Sequence, residues 1–195
     1  MPEPKVAALI PAAGRSERMG CCKMLLPLPD RPVIIRCIET IRLAGINDIV
    51  VVLASPHGTT IHEKIDHLPV TVAWNCNEGS DMAGSLKVGL EHLPADATGV
   101  LVFLPDTPLV TPETCEMLCE RHTQNPTAIF IPTHAGRRGH PLLLPRVVID
   151  QLPDYPTLRD LLQLRQELIN LCPTEDAGIL LDMDTPEDYE QLKRM

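Results

Sequence analysis

The sequence predicts an α/β fold built on a mostly parallel mixed sheet, and three observations carry that expectation. Short apolar runs bounded by turn residues alternate with segments whose apolar residues recur at helical spacing. The early runs are apolar throughout, as strands covered on both faces must be. Strands separated by helices imply crossovers and a parallel sheet, while the glycine-containing segment 134–144 between late strands makes that sheet mixed.

Val6–Ile10 is a continuous apolar run and reads as a buried strand, followed by a polar loop to about Lys23. Pro32 opens a helical stretch that carries Ile34, Ile35, Ile38 and Ile41, and Gly45 closes it. Ile49–Leu53 is the second strand; Ile61, Ile65 and Leu68 mark a short helix; Val70–Ala73 is the third strand. Ser85–Leu93 is helical, and Val100–Leu104 is a fourth strand. Thr111-Pro112-Glu113 starts a helix with a hydroxyl cap, a proline at the first helical position and a carboxylate near the positive end of the dipole. Ala128–Ile131 reads as a strand and His134–Leu144 as a hairpin or excursion. Thr157–Asp160 and Thr185–Asp188 fit the capping-box pattern, the latter opening a C-terminal helix through Leu192. No repeat, low-complexity segment or linker interrupts the chain, so 1–195 is expected to form one domain.

Seventeen Lys+Arg against 26 Asp+Glu leave a net charge of −9, which argues against a protein that wraps duplex DNA or lies on an anionic membrane. No apolar run reaches membrane-spanning length, and Met1–Ile10 lacks the pattern of a secretory signal, so a soluble cytoplasmic protein is expected. The seven cysteines form no CxxC pair and read as small buried hydrophobes rather than a zinc or redox motif.

In open sheets of this kind ligands bind at the carboxyl ends of the strands. Two unusual polar segments fall there: residues 11–23, after the first strand, and Asp106, just beyond the fourth. In the first, Ala12, Ala13 and Gly14 let the backbone approach a ligand, and consecutive N–H groups can cradle phosphate oxygens. Arg15, Arg18 and Lys23 supply the charge that a triphosphate requires. The string is neither a Walker A loop nor GxGxxG. Asp106, between Pro105 and Pro108, suits Mg²⁺, which takes one or two carboxylates together with phosphate oxygens and water. Asp182 and Asp184 stand on an extended segment, and only one of them is expected to look into a site on a given side.

Taken whole, Ala12 to Lys23 resembles AAGxSxRMGxxK, the signature of the nucleotidyltransferases that activate molybdenum cofactor. Other segments agree in order and spacing: Asn75 with Ser85–Leu90, Leu104-Pro105-Asp106-Thr107-Pro108-Leu109, Gly139-His140-Pro141, Leu158-Arg159-Asp160 and Leu181–Asp188. The resemblance spans essentially the whole chain. It is nearest to the molybdenum cofactor cytidylyltransferase branch, which opens AAG where the guanylyltransferases usually read AGG. It implies a Rossmann-like three-layer α/β/α fold and transfer of CMP from CTP to the terminal phosphate of molybdopterin, with release of pyrophosphate. The product would mature molybdenum hydroxylases, and a recipient enzyme of that kind is the partner the resemblance implies.

The same resemblance implies roles for particular residues. Lys23, Arg18 and Asp106 would be catalytic. Ala12, Ala13, Gly14, Arg15, Ser16, Lys23, Asn75 and Ser85 would bind the nucleotide, and Gly139, His140 and Pro141 would lie near the pterin-side substrate. Asp106, with Asp184 or Asp182, would hold Mg²⁺. The family's GDMP is here Pro105-Asp106-Thr107-Pro108, and a family glycine is replaced by Asp81, which could repel phosphate or accept a hydrogen bond from a base amine. A phosphate nucleophile is already ionised, so no general base is expected. The rival readings are GTP in place of CTP, a sugar or alcohol phosphate as acceptor, or a non-catalytic carrier of finished cofactor. The joint presence of Lys23, Asp106 and Asp184 counts against the carrier.

Overall fold

The computed structural model describes residues 4–28, 30–77 and 79–195, so the first three positions of the N-terminal stretch lie outside it. The strands are β1 (Val6–Pro11), β2 (Ile49–Leu53), β3 (Thr71–Trp74), β4 (Gly99–Val102), β5 (Ile129–His134), β6 (Arg137–Arg138), β7 (Leu142–Pro145) and β8 (Ile169–Pro173). They join in one sheet of order β3-β2-β1-β4-β7-β5-β6, with β8 also paired to β5. β1 lies parallel to β2 and β4, β2 to β3, and β5 to β8. β7 runs antiparallel between β4 and β5, so the sheet is mixed, as the sequence predicts. The helices are α1 (Val33–Leu43), α2 (Gly58–Ile65), α3 (Met82–Leu90), α4 (Pro112–Gln124), α5 (Arg146–Ile149), α6 (Leu158–Leu164) and α7 (Pro186–Leu192). None of the described helices is long and apolar enough to cross a membrane.

The apolar runs alternate their side chains between two cores. Ala8, Ile10, Val51, Leu53 and Leu101 pack with α1, α2 and α4, while Ala7, Leu9, Val50, Val52, Val100 and Val102 pack with α3, α5 and α6. Full burial of each such branched side chain is worth about 1.5–3 kcal/mol, which is why central strands here tolerate no polar residue. The result is three layers, helices on either side of the sheet.

One helix start and one helix cap differ from expectation. α3 begins at Met82 rather than Ser85, because Asp81 caps it: its Oδ1 accepts the Gly84 N–H at 2.8 Å. At α4 the Thr111 hydroxyl makes no cap bond. Asp176, distant in sequence, accepts the Thr111 N–H at 2.9 Å and the Thr114 hydroxyl at 2.7 Å instead. Both capping boxes, Thr157 with Asp160 and Thr185 with Asp188, form as read. Within 134–144, β5 and β6 make a hairpin, after which β7 inserts between β4 and β5.

Candidate active site

β3, β2, β1 and β4 all end on one side of the sheet, and the loops leaving them wall a cleft of about 970 Å³. The strand order reverses between β1 and β4, the place where ligands enter open α/β sheets. The polar segments 11–23 and 104–106 therefore meet across it.

Segment 12–23 turns sharply through left-handed backbone at Ser16 (φ 54°) and Gly20 (φ 68°). Buried Met19 anchors the turn, and the Lys23 N–H donates to Ser16 Oγ at 3.2 Å. His57 Nε2 donates to the Arg15 carbonyl at 3.2 Å and ties the loop to the start of α2. Asp106 is held by its own turn: Thr107 Oγ1 donates to the Leu104 carbonyl at 2.9 Å, and Arg36 Nε donates to the Pro108 carbonyl at 2.9 Å. The Met183 N–H donates to the Asp106 carbonyl at 2.8 Å and brings in the C-terminal acidic segment.

Lys23 joins these parts. Its Nζ donates to Asp184 Oδ1 at 2.9 Å, to the Met183 carbonyl at 3.0 Å and to Asp106 Oδ2 at 3.4 Å. Only 15% of the Lys23 side chain is exposed, so its charge depends on these three acceptors. Arg18 reaches Asp184 Oδ2 at 2.9 Å. Lys23 above all, with Arg18 beside it, holds the Asp184 carboxyl below its ordinary range. Burial, and then the charges of Asp106 and Asp184, push Asp182 the other way. Asp182 and Asp184 both line one surface hollow beside Asp188 and Gln191, which corrects the expectation that only one of them looks toward a given side. In extended chain, residues two apart fall on one side, and it is Met183 between them that turns into the core.

Asp106 Oδ1 is buried without a hydrogen-bond partner among the described residues. Such an orphaned acceptor at a carboxylate-rich spot fits a hard cation. No three His, Cys, Asp or Glu side chains among the described residues are gathered closely enough to hold a metal by themselves. Substrate oxygens and water would have to complete the shell.

Asn75 and Ser85 wall the cleft, yet their polar groups are engaged internally. Asn75 Nδ2 donates to Ser85 Oγ at 3.2 Å, its Oδ1 accepts the Asn77 N–H at 3.1 Å, and Ser85 Oγ donates to the Asp81 carbonyl at 3.2 Å. They tie residues 75–77 to the start of α3, and Asp81 is the cap of α3 as well as part of the wall. Gly139, His140 and Pro141 lie outside the cleft wall, leading into β7 beside β4. A Cβ on Gly139 would stand 2.3 Å from the Ile179 carbonyl oxygen, and the His140 N–H donates to that oxygen at 3.0 Å. Burial lowers the His140 imidazole pKa, while the charge of Asp106 pulls it up. Sequence reasoning missed Ser55, Pro56, Thr59, Trp74, Cys76 and Asn77 in the wall. Their positions just after the second and third apolar runs were the available signal.

Residues 8–171 match the MobA-like NTP transferase domain. The chain belongs to this family. Molybdenum cofactor cytidylyltransferase of Escherichia coli K12 is 27% identical over 191 residues, covering 94% of this chain and 93% of that protein. A 2-C-methyl-D-erythritol 4-phosphate cytidylyltransferase of Frankia casuarinae is 26% identical, covering 94% of this chain and 72% of that one. The chain spans only 30% of the length of the bifunctional protein GlmU of Coxiella burnetii, with which it is 30% identical over 68% of itself. Among solved structures, Rv0371c from Mycobacterium tuberculosis superposes with a TM-score of 0.86 at 26% identity, covering 99% of this chain and 100% of that one. This MobA-like NTP transferase is an enzyme of nucleotidyl transfer with a Rossmann-like fold, and a nucleoside triphosphate is one of its substrates.

Proposed function

We propose that the enzyme, acting in the cytoplasm as one domain over 1–195, transfers CMP from CTP to the terminal phosphate of molybdopterin and so matures the cofactor for molybdenum hydroxylases. The observation that carries the reading is the convergence of Lys23, Arg18, Asp184 and Asp106 where β1 and β4 end beside the cleft. End-to-end likeness to a molybdenum cofactor cytidylyltransferase supports the nucleotide and the acceptor.

A terminal phosphate oxygen of molybdopterin attacks the α-phosphorus of CTP, a new P–O bond forms, and the bond to the β-phosphate breaks as pyrophosphate leaves. Both reactants are anions, so catalysis rests on holding them in line and offsetting charge. Lys23 and Arg18 are poised for this: each is held by Asp184 in the resting protein, at the edge of the space a triphosphate would enter. Ala12 to Ser16 offer their backbone to the nucleotide with Arg15 adding charge, and Asn75 and Ser85 shape the loop that faces it. Gly139-His140-Pro141 flank the acceptor. Asp106, with Asp184 or Asp182, would hold a divalent cation, Mg²⁺ in this reading. When bound, such an ion supplies charge neutralisation across the triphosphate and the attacking phosphate.

Pyrophosphate release, measured with purified molybdopterin, Mg²⁺ and each of CTP, GTP, ATP and UTP, tests this. Release with CTP and molybdopterin together is the expected result. The Frankia relative favours one competitor, a phosphorylated alcohol as acceptor. Release with methylerythritol phosphate but not molybdopterin would replace the present reading with that one, and no release with any pair would leave a carrier.

A further inference from the structure

Among the described residues seven large hydrophobic side chains are notably exposed, and two of them, Trp74 (44%) and Met82 (47%), wall the same cleft. Trp74 is the last residue of β3 and Met82 the first of α3. The Trp74 ring is fixed from behind. It meets the His62 imidazole of α2 edge-on, with centroids 5.9 Å apart and planes at 78°. It also lies over Gly58, where a Cβ would stand 2.7 Å from its Cζ3, so a side chain at 58 would displace the ring.

Position in the cleft says what the ring is for. The charged cluster of Lys23, Asp184 and Asp106 sits at the β1–β4 end. β3 is three strands away from β4, roughly 14 Å at a strand spacing of about 4.8 Å. A nucleotide with its phosphates at the cationic end extends its planar, less polar part toward β3. There a rigid indole and a thioether offer the surface on which a base stacks. We propose that Trp74, backed by His62 and flanked by Met82, is the aromatic wall against which the nucleotide base rests. The proposal rests on the reading that CTP is a substrate. An aromatic face accepts the face of any base, so this wall supplies affinity, while choice among bases falls to groups at the base edge.

Trp74 is the chain's one tryptophan, so its emission reports on the wall directly. The full chain with Mg²⁺ is titrated with CTP and, as a probe without a base, with inorganic tripolyphosphate, while calorimetry follows binding independently. CTP should change Trp74 emission, and tripolyphosphate should bind without changing it. Trp74→Leu should weaken CTP binding about tenfold with tripolyphosphate affinity held, and Trp74→Phe should recover most of the loss. In turnover the effect should fall on KM for CTP rather than on kcat. CTP that binds by calorimetry with unaltered emission, and equally tightly to a folded Trp74→Leu protein, overturns the wall. CTP that does not bind by calorimetry at all overturns the substrate reading, and the wall with it.

Discussion

Lys23 carries the densest set of interactions in the site, spanning 160 residues of sequence to reach the Met183 carbonyl. Two roles are mixed in it, because the same ammonium anchors the C-terminal segment and lines the cleft that the proposed reaction would use. Lys23→Ala should lower kcat by roughly 10²-fold or more if the charge acts on the leaving pyrophosphate. A rise in KM for CTP with kcat preserved would assign it to uniform binding instead. From sequence, Lys23, Arg18 and Asp106 were legible because they stand in or just beyond loops that leave apolar strands. That Asp184 would bind both cations, and that Asp182 would stay beside it, was not legible. The distances depend on the Met183 main chain pairing with Asp106. Asn75 and Ser85 teach the converse: residues singled out as nucleotide contacts have hydrogen bonds that run mostly to one another and to their own loop.

At the scale of elements, the capping boxes of α6 and α7 were readable because donor and acceptor lie three residues apart. The start of α4 was readable, its cap was not, since Asp176 arrives from a distant turn. Tight element contacts make two predictions. Gly139→Ala places a Cβ against the Ile179 backbone oxygen, which cannot move as a side-chain end can. It should cost about 2–4 kcal/mol in urea unfolding; a loss below the precision of the melt would mean the β6–β7 connection is slack. The second concerns α4 on β4. His122 is fully buried on Gly99, with Nε2 3.1 Å from Thr98 Oγ1 and burial lowering its pKa from 6.5. Well above pH 6.5 the ring is neutral folded and unfolded alike. As pH falls from there through the lowered folded value, the unfolded chain takes up the proton first and stability is lost. The melting temperature should therefore decline below pH 6.5, more steeply in the wild type than in His122→Gln. Parallel pH profiles for the two proteins would remove His122 as the cause.

For the whole molecule, the proposed function implies that a triphosphate and its counter-ion bind together at the open acceptor on Asp106 and the cations beside it. CTP with Mg²⁺, at about a hundred times its dissociation constant, should add about 2.7 kcal/mol of stability. That corresponds to a rise in Tm of roughly 5–10 °C for a chain of this size, with a smaller rise for either alone. Equal shifts from CTP with Mg²⁺ and with EDTA would argue against a cation shared by Asp106 and phosphate. The layer architecture was legible in the sequence, since short, fully apolar, β-branched runs bounded by turn residues and set between helical segments fit a sheet covered on both faces. The sequence by itself also determined which strand ends carry charge, because loops that must be polar begin where those runs stop. Tertiary structure alone decided that β7 slips antiparallel between β4 and β5, since Leu142–Pro145 is as apolar as its neighbours and names no partner. It alone also brought Trp74, Met82 and Lys23 to one cleft, because the gathering depends on strand order, a property of the sheet that no local run of residues encodes.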